Sequence, residues 1–169
     1  MYIVDFLKSR GVWFETLLHN PASSSTKRAG NAHIPGRRVA KAVLVKAGDS
    51  FVLAVLPSTS WIDLGQLSEA IGTPASVVRL ATEDELLEVF ADCEPGVVPP
   101  FGRLYGLPTL VDSGLAELTD IVLGANTRHE GLCMHFLDFQ TLEQPKRASF
   151  TRPIGKADRL DRDRRRSVM

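Results

Sequence analysis

Lys41 is the first residue in this chain whose type and position ask for a chemical explanation. It lies in VAKAVLVKAG, residues 39–48, where alternate side chains of an extended segment point to opposite faces. Val39, Lys41, Val43 and Val45 then share one face, and Ala40, Ala42, Leu44 and Lys46 share the other. Lys46 is easily placed at the strand end, beside the turn signal Ala-Gly-Asp-Ser. Lys41 puts an ammonium among valines, where an unpaired buried charge costs several kcal/mol, roughly. A lysine so placed needs an anionic or polar partner.

A second candidate is DCEPGVVPPFG, residues 92–102. Pro95, Pro99 and Pro100 remove backbone donors and stiffen the segment, while Gly96 and Gly102 allow close backbone approach to a ligand. Such a loop can present its few N–H groups to a carbonyl or a developing oxyanion. It also reads as an ordinary connector between helix and strand. The third candidate is GANTRHEGLCMHF, residues 124–136. Gly124 ends the apolar run DIVLG, and His129 falls in the following turn, where it can bond a substrate or transfer a proton.

Other chemistries are poorly supported. Cys133 and His135 stand two apart on one strand face, but two ligands without a third and fourth make a weak zinc site. Cys93 lies between Asp92 and Glu94, which disfavour its thiolate. SSST at residues 23–26 has no nucleophile-elbow context, and no P-loop or dinucleotide fingerprint is present. No metal or cofactor is expected.

The elements that must position these residues alternate between helix and strand. Helices are expected over 2–10, from Ser23 to about His33, over Asp63–Ile71, from Thr82 through TEDELLEVFA, and near 137–142. Asp63 is suited to an N-cap, Gly72 to a helix stop, and Thr82 with Glu85 to a capping box. Strands are expected at Trp13–Leu18, 39–46, 51–56, Val77–Leu80, 108–112, 120–124 and 132–136. The pair 39–46 and 51–56 reads as a hairpin. Hairpins mixed with helices imply an α+β domain with a mixed, mostly antiparallel sheet flanked by helices.

A chain of 169 residues with 44% hydrophobic content fits one domain with a real core. Residues 1–153 are assigned to it, and 154–169, charged and aperiodic, to a flexible basic tail. No apolar run reaches membrane-spanning length. The N-terminus, with Asp5 and Lys8 in its apolar stretch, reads as a poor signal peptide. Two cysteines without CxxC spacing suit a reducing cytoplasm. The formal net charge of zero hides a segregation: eight Lys/Arg against Glu15 from Lys8 to Lys46, three against fifteen Asp/Glu from Asp49 to Glu143, and nine against three from Gln144 onward. If the basic segments meet, they suit a polyanion; otherwise they are solvated faces.

The order VAKAVLVKAGDSFVLAVLP, PGVVPPFG, GANTRHEGLCMHFLDF resembles the YbaK family. That family comprises the editing domain inserted in bacterial prolyl-tRNA synthetase and its free-standing relatives. The similarity spans about residues 19–143 and includes the STKRAGNAHIPGRRVAKAV segment before the lysine strand. It implies a YbaK-like fold and hydrolysis of the ester joining a wrong amino acid to the terminal adenosine of a tRNA. The family lysine falls on Lys41, implying contact with the substrate's terminal phosphate or carbonyl region. Gly96, Pro100, Phe101 and Gly102 match the loop that shapes the amino-acid pocket and offers donors. Gly124 and His129 match the element closing the other side. The implied partners are the acceptor end of aminoacyl-tRNA and the cognate synthetase, with a small amino acid on proline tRNA as substrate. Two departures stand out: Pro99 replaces a Ser or Thr frequent before Pro-Phe-Gly, and the Gly124–His129 spacing is one residue longer. The rival readings are a non-catalytic tRNA-binding or regulatory module and a metal-dependent hydrolase using Cys133, His135 and His129.

Overall fold

The structure, a computed structural model, describes residues 2–18 and 34–155. The chain opens with helix α1 (Ile3–Ser9), whose Ile3 and Leu7 are buried, and strand β1 (Phe14–Leu18). The hairpin strands β2 (Ala40–Ala47) and β3 (Ser50–Pro57) follow, then β4 (Ser60–Ile62) and helix α2 (Leu64–Ile71). Next come β5 (Val78–Leu80), α3 (Glu83–Val89), β6 (Thr109–Asp112) and the short helix α4 (Ser113–Ala116). The described chain closes with β7 (Asp120–Gly124), β8 (Glu130–His135), α5 (Phe136–Glu143), β9 (Lys146–Ala148) and β10 (Thr151–Pro153).

The strands form a five-stranded sheet ordered β5-β2-β3-β6-β9, a three-stranded sheet β1-β8-β7, and a ribbon of β10 with β4. Pairing is antiparallel except for β3 with β6 and β6 with β9. This is the mixed, mostly antiparallel α+β architecture expected. Hairpin β2–β3 closes at Ala47 opposite Ser50, leaving a two-residue turn in which Gly48 takes φ 63°, a conformation glycine adopts without a Cβ penalty.

Local signals account for the helix ends. The Asp63 carboxylate accepts the Gln66 N–H at 3.0 Å, and Gly72 closes α2 at φ 69°. At α3 the Thr82 hydroxyl accepts from the Glu85 N–H while the Glu85 carboxylate accepts from the Thr82 N–H, so two orphan donors are satisfied reciprocally.

Strand β2 is covered on both faces. Ala40, Ala42 and Leu44 join the main core with Leu53, Val111, Ile121 and Phe139, whereas Val43, Val45 and Ala47 pack with Leu67, Leu110 and Phe150. Alternation along this strand therefore separates two apolar environments rather than core from water.

Strands β4, β9 and β10 and helix α4 were not anticipated. Each has only three or four residues, too few to show a period, and their pairing comes from distant segments. The helix expected from Ser23 to His33 lies outside the described residues, as does the expected tail from residue 156 on. Ile154 donates its N–H to the Thr59 carbonyl at 3.1 Å, so the chain is tied to the β4 turn up to that point.

Candidate functional site

Lys41 lies on β2 opposite Leu56 of β3, on the Val43–Val45 face. The chain just before β2 touches the three-stranded sheet through a parallel bridge between Val39 and Val122. Two residues further along each strand stand Lys41 and Gly124, so the two sheets meet where these candidates lie. The half-buried Lys41 ammonium sits over the Trp61 ring, 5.1 Å from its centroid, an attraction between a cation and the ring's negative face. Trp61 is held by the pairing of β4 with β10, opposite Arg152. Sequence reasoning missed it, because a tryptophan in a three-residue strand carries no periodic signal.

Lys46 has a different environment. Its ammonium is 3.1 Å from Glu85 Oε1 and 4.9 Å from the Phe51 ring centroid. Glu85 also receives two hydrogen bonds from the Arg79 guanidinium, each 2.8 Å. These Arg79 bonds first, then the Thr82 N–H and Lys46, hold the Glu85 carboxyl well below the usual carboxylate range. Lys46 thus fastens β2 to the start of α3.

The two candidate loops are laced together. Glu94 donates its N–H to the Asn126 carbonyl at 3.0 Å, the Arg128 N–H donates to Glu94 Oε2 at 2.8 Å, and the Arg128 guanidinium donates to the Pro95 carbonyl. Buried Asn126 accepts from the Ile3 N–H at 2.8 Å and donates to Cys93 Sγ at 3.4 Å. Gly96 sits in the same corner at φ 81°, where a Cβ would lie 3.6 Å from the Arg128 guanidinium. His129 is exposed in the turn that enters β8. The corner is lined by Glu83, Leu86, Leu87, Pro95, Gly96 and Arg128 around a cavity of about 330 Å³.

The Pro-Phe-Gly portion turns inward. Pro100 is buried. The fully buried Phe101 ring packs edge-on against Phe6 and Phe139, with centroids 6.1 and 5.6 Å away. The N–H groups of Gly102 and Arg103 are accepted by Glu143, at 3.1 Å from Arg103, and the Thr109 hydroxyl donates to the same carboxylate. Glu143 is only 2% exposed, and burial pushes its carboxyl up despite these donors. The Phe101 ring and the Gly102 N–H thus fix the path of the loop from inside. No sequence pattern marked Glu143, since an acidic residue at the end of a helix usually faces water.

Neither cysteine is placed as an activated nucleophile. Burial, foremost, pushes both thiols up. Cys93 contacts the Tyr105 hydroxyl at 3.4 Å and Asp92 at 3.5 Å. His135 Nδ1 is engaged by Asp120 Oδ1 at 2.6 Å. Among the described residues no three His, Cys, Asp or Glu side chains converge to hold a metal, and no helix is long and apolar enough to cross a membrane.

Residues 19–142 match the aminoacyl-tRNA editing domain, a segment that contains the lysine strand and both loops. The chain belongs to the aminoacyl-tRNA editing domain family. Within it, the chain is 32% identical over 100 residues to the proline–tRNA ligase of Halalkalibacterium halodurans, a match covering 59% of this chain and 16% of that enzyme. The fold is shared with hypothetical protein APE2540, at TM-score 0.79 and 19% identity over 89% of this chain and 99% of that one. It is shared too with a proposed trans-editing enzyme for prolyl tRNA synthetase, at TM-score 0.74 and 19% identity over 86% and 92% of the two chains.

Proposed function

We propose that this protein hydrolyses the ester between a wrongly attached small amino acid and the terminal adenosine of a tRNA, acting in trans, with proline tRNA as the carrier. Family membership supports the substrate class, and the relative from Halalkalibacterium halodurans supports the carrier. The observation that supports the reading is the Val39–Val122 bridge, which joins the start of the lysine strand to β7, the strand that leads into the two laced loops. In this reading the Lys41 ammonium leaves the Trp61 face to pair with the terminal phosphate or the ester carbonyl, a charge-assisted contact. Water attacks the acyl carbon, and the backbone around left-handed Gly96 supplies donors to the oxyanion. The carbon–oxygen bond to ribose then breaks, and the proton released by water passes to the ribose oxygen. The products are a free amino acid and a tRNA with its hydroxyl restored. Gly124 and His129 border the opposite side of the bound aminoacyl group. No protein nucleophile and no cofactor is needed. The synthetase of the carrier tRNA is the second partner, and the cytoplasm the place of action.

The alternative is a tRNA-binding module without turnover. It draws on Pro99, buried and without a hydroxyl where relatives often carry Ser or Thr. A panel of mischarged tRNAs, assayed for released amino acid with and without strong chelator, separates the readings. Release from one small-amino-acid proline tRNA, unaffected by chelation, is the expected result. Tight binding without release establishes the module, and chelator-sensitive release establishes a metallohydrolase.

A further inference from the structure

Outside the corner just described, one row of side chains crosses the three-stranded sheet at its far end. Trp13, just before β1, stacks on His135 with ring centroids 5.2 Å apart and planes inclined by 25°. His135 is opposite Asp120 in the β7–β8 register, and its Nδ1 is 2.6 Å from Asp120 Oδ1. The second Asp120 oxygen faces the Arg38 guanidinium at 3.8 Å. Exposed Arg37 adjoins it in the same 3-10 turn, Gly36–Arg38.

Trp13 keeps 56% of its surface exposed, although indole carries a large hydrophobic gain on burial. His135 supports one side of the indole, and Asp120 engages that imidazole. An exposed aromatic pair in line with the Arg38 guanidinium has the features that unpaired nucleotides use: a ring on which a base stacks, and a cation for an adjoining phosphate. The row also lies on the strands that lead to the candidate site. Four residues along β7 separate Asp120 from Gly124, about 13 Å at strand rise, and Arg38 precedes Lys41 by three residues.

We infer that Trp13 and His135, with Arg38 across Asp120, form a stacking platform for the unpaired nucleotides next to the ester-bearing adenosine of the tRNA. The inference rests on the tRNA reading above and extends it to a surface that the family motifs do not include. The platform sets RNA affinity and register and takes no part in bond breaking.

The test measures binding of the full chain to an uncharged acceptor-stem RNA hairpin, with and without its unpaired 3′ nucleotides, by fluorescence anisotropy. Wild-type protein should bind the hairpin with the overhang more tightly. Trp13→Ala should weaken that binding by about tenfold and leave the blunt hairpin nearly unchanged, while Trp13→Phe retains most of the affinity. His135→Gln, which keeps a polar group beside Asp120 without the ring, should show a smaller loss of the same kind. Equal effects on both RNAs, no effect of Trp13→Ala on either, or failure of wild type to prefer the overhang would overturn the inference. Loss of thermal stability in Trp13→Ala without overhang-specific loss would also overturn it, leaving an ordinary cross-strand aromatic pair. Uncharged RNA requires no turnover, so a protein that deacylates nothing can still pass this test, and an active deacylase can still fail it.

Discussion

The Lys41 ammonium lies 5.1 Å from the centre of the Trp61 ring, while Lys46, five residues along the same strand, is 3.1 Å from Glu85. The two lysines leave β2 on opposite faces and meet different partners. An ammonium over an aromatic face gains an attraction of about 0.5–2 kcal/mol.

The first prediction compares these lysines. Lys41→Ala should reduce deacylation of the correct mischarged tRNA by at least ~100-fold, the scale of losing a strong charged catalytic contact. Its thermal unfolding should shift little, because the Lys41 side chain is only half-buried and its loss empties no enclosed core site. Lys46→Ala should leave turnover within a few-fold and lower stability slightly. Single-turnover rates and melting curves on both variants check this, and the reverse pattern would refute the site assignment.

Glu143 and Gly102 define the second. Glu143→Ala removes the acceptor for the Gly102 and Arg103 N–H groups and for the Thr109 hydroxyl. Leaving buried donors unpaired should cost at least ~2 kcal/mol and impair turnover through the displaced loop. Glu143→Gln retains an acceptor oxygen and should lose much less. Gly102→Ala should also be destabilised, by ~1–3 kcal/mol. Its Cβ would collide with the Thr109 hydroxyl and come within 3.0 Å of the Leu107 carbonyl. Denaturant titrations of the three variants decide between these outcomes.

A pH dependence follows from Glu85, whose folded carboxyl is held below its ordinary value by Arg79, the Thr82 N–H and Lys46. A depressed carboxyl contributes stability that is fully present above the unfolded value of about 4.3 and lost as pH falls toward the folded one. Wild type should therefore exceed Glu85→Gln in melting temperature at pH 7, and the gap should close on acidification below about pH 4. A gap that widened in acid would contradict the assignment.

The chain beyond Gly155 carries six Lys/Arg and three Asp. Truncation after Gly155 retains the Ile154–Thr59 hydrogen bond and should leave the melting temperature nearly unchanged. The slope of tRNA affinity against salt should become shallower, since fewer cations displace counterions. A large loss of stability would instead show that the segment packs on the domain.

What the sequence determined by itself was local or carried by short motifs. The capping box at Thr82–Glu85, the Asp63 N-cap, the Gly72 stop and the β2–β3 hairpin are set by residues a few positions apart, so they were legible without the fold. The three motifs likewise announced the editing-domain family, and the phase of β2 correctly set Lys41 and Lys46 on opposite faces.

The tertiary structure decided where those pieces meet. The Val39–Val122 bridge joins the start of the lysine strand to β7, 83 positions later in the chain, and the Glu94, Asn126 and Arg128 hydrogen bonds join the two loops. The sequence could not show that the Phe101 ring faces the core, that Glu143 is the buried acceptor beneath Gly102, or that Trp61 lies under the lysine. Each depends on side chains brought together from distant segments, whose packing and hydrogen-bond satisfaction exist only when the sheets close over both faces of β2.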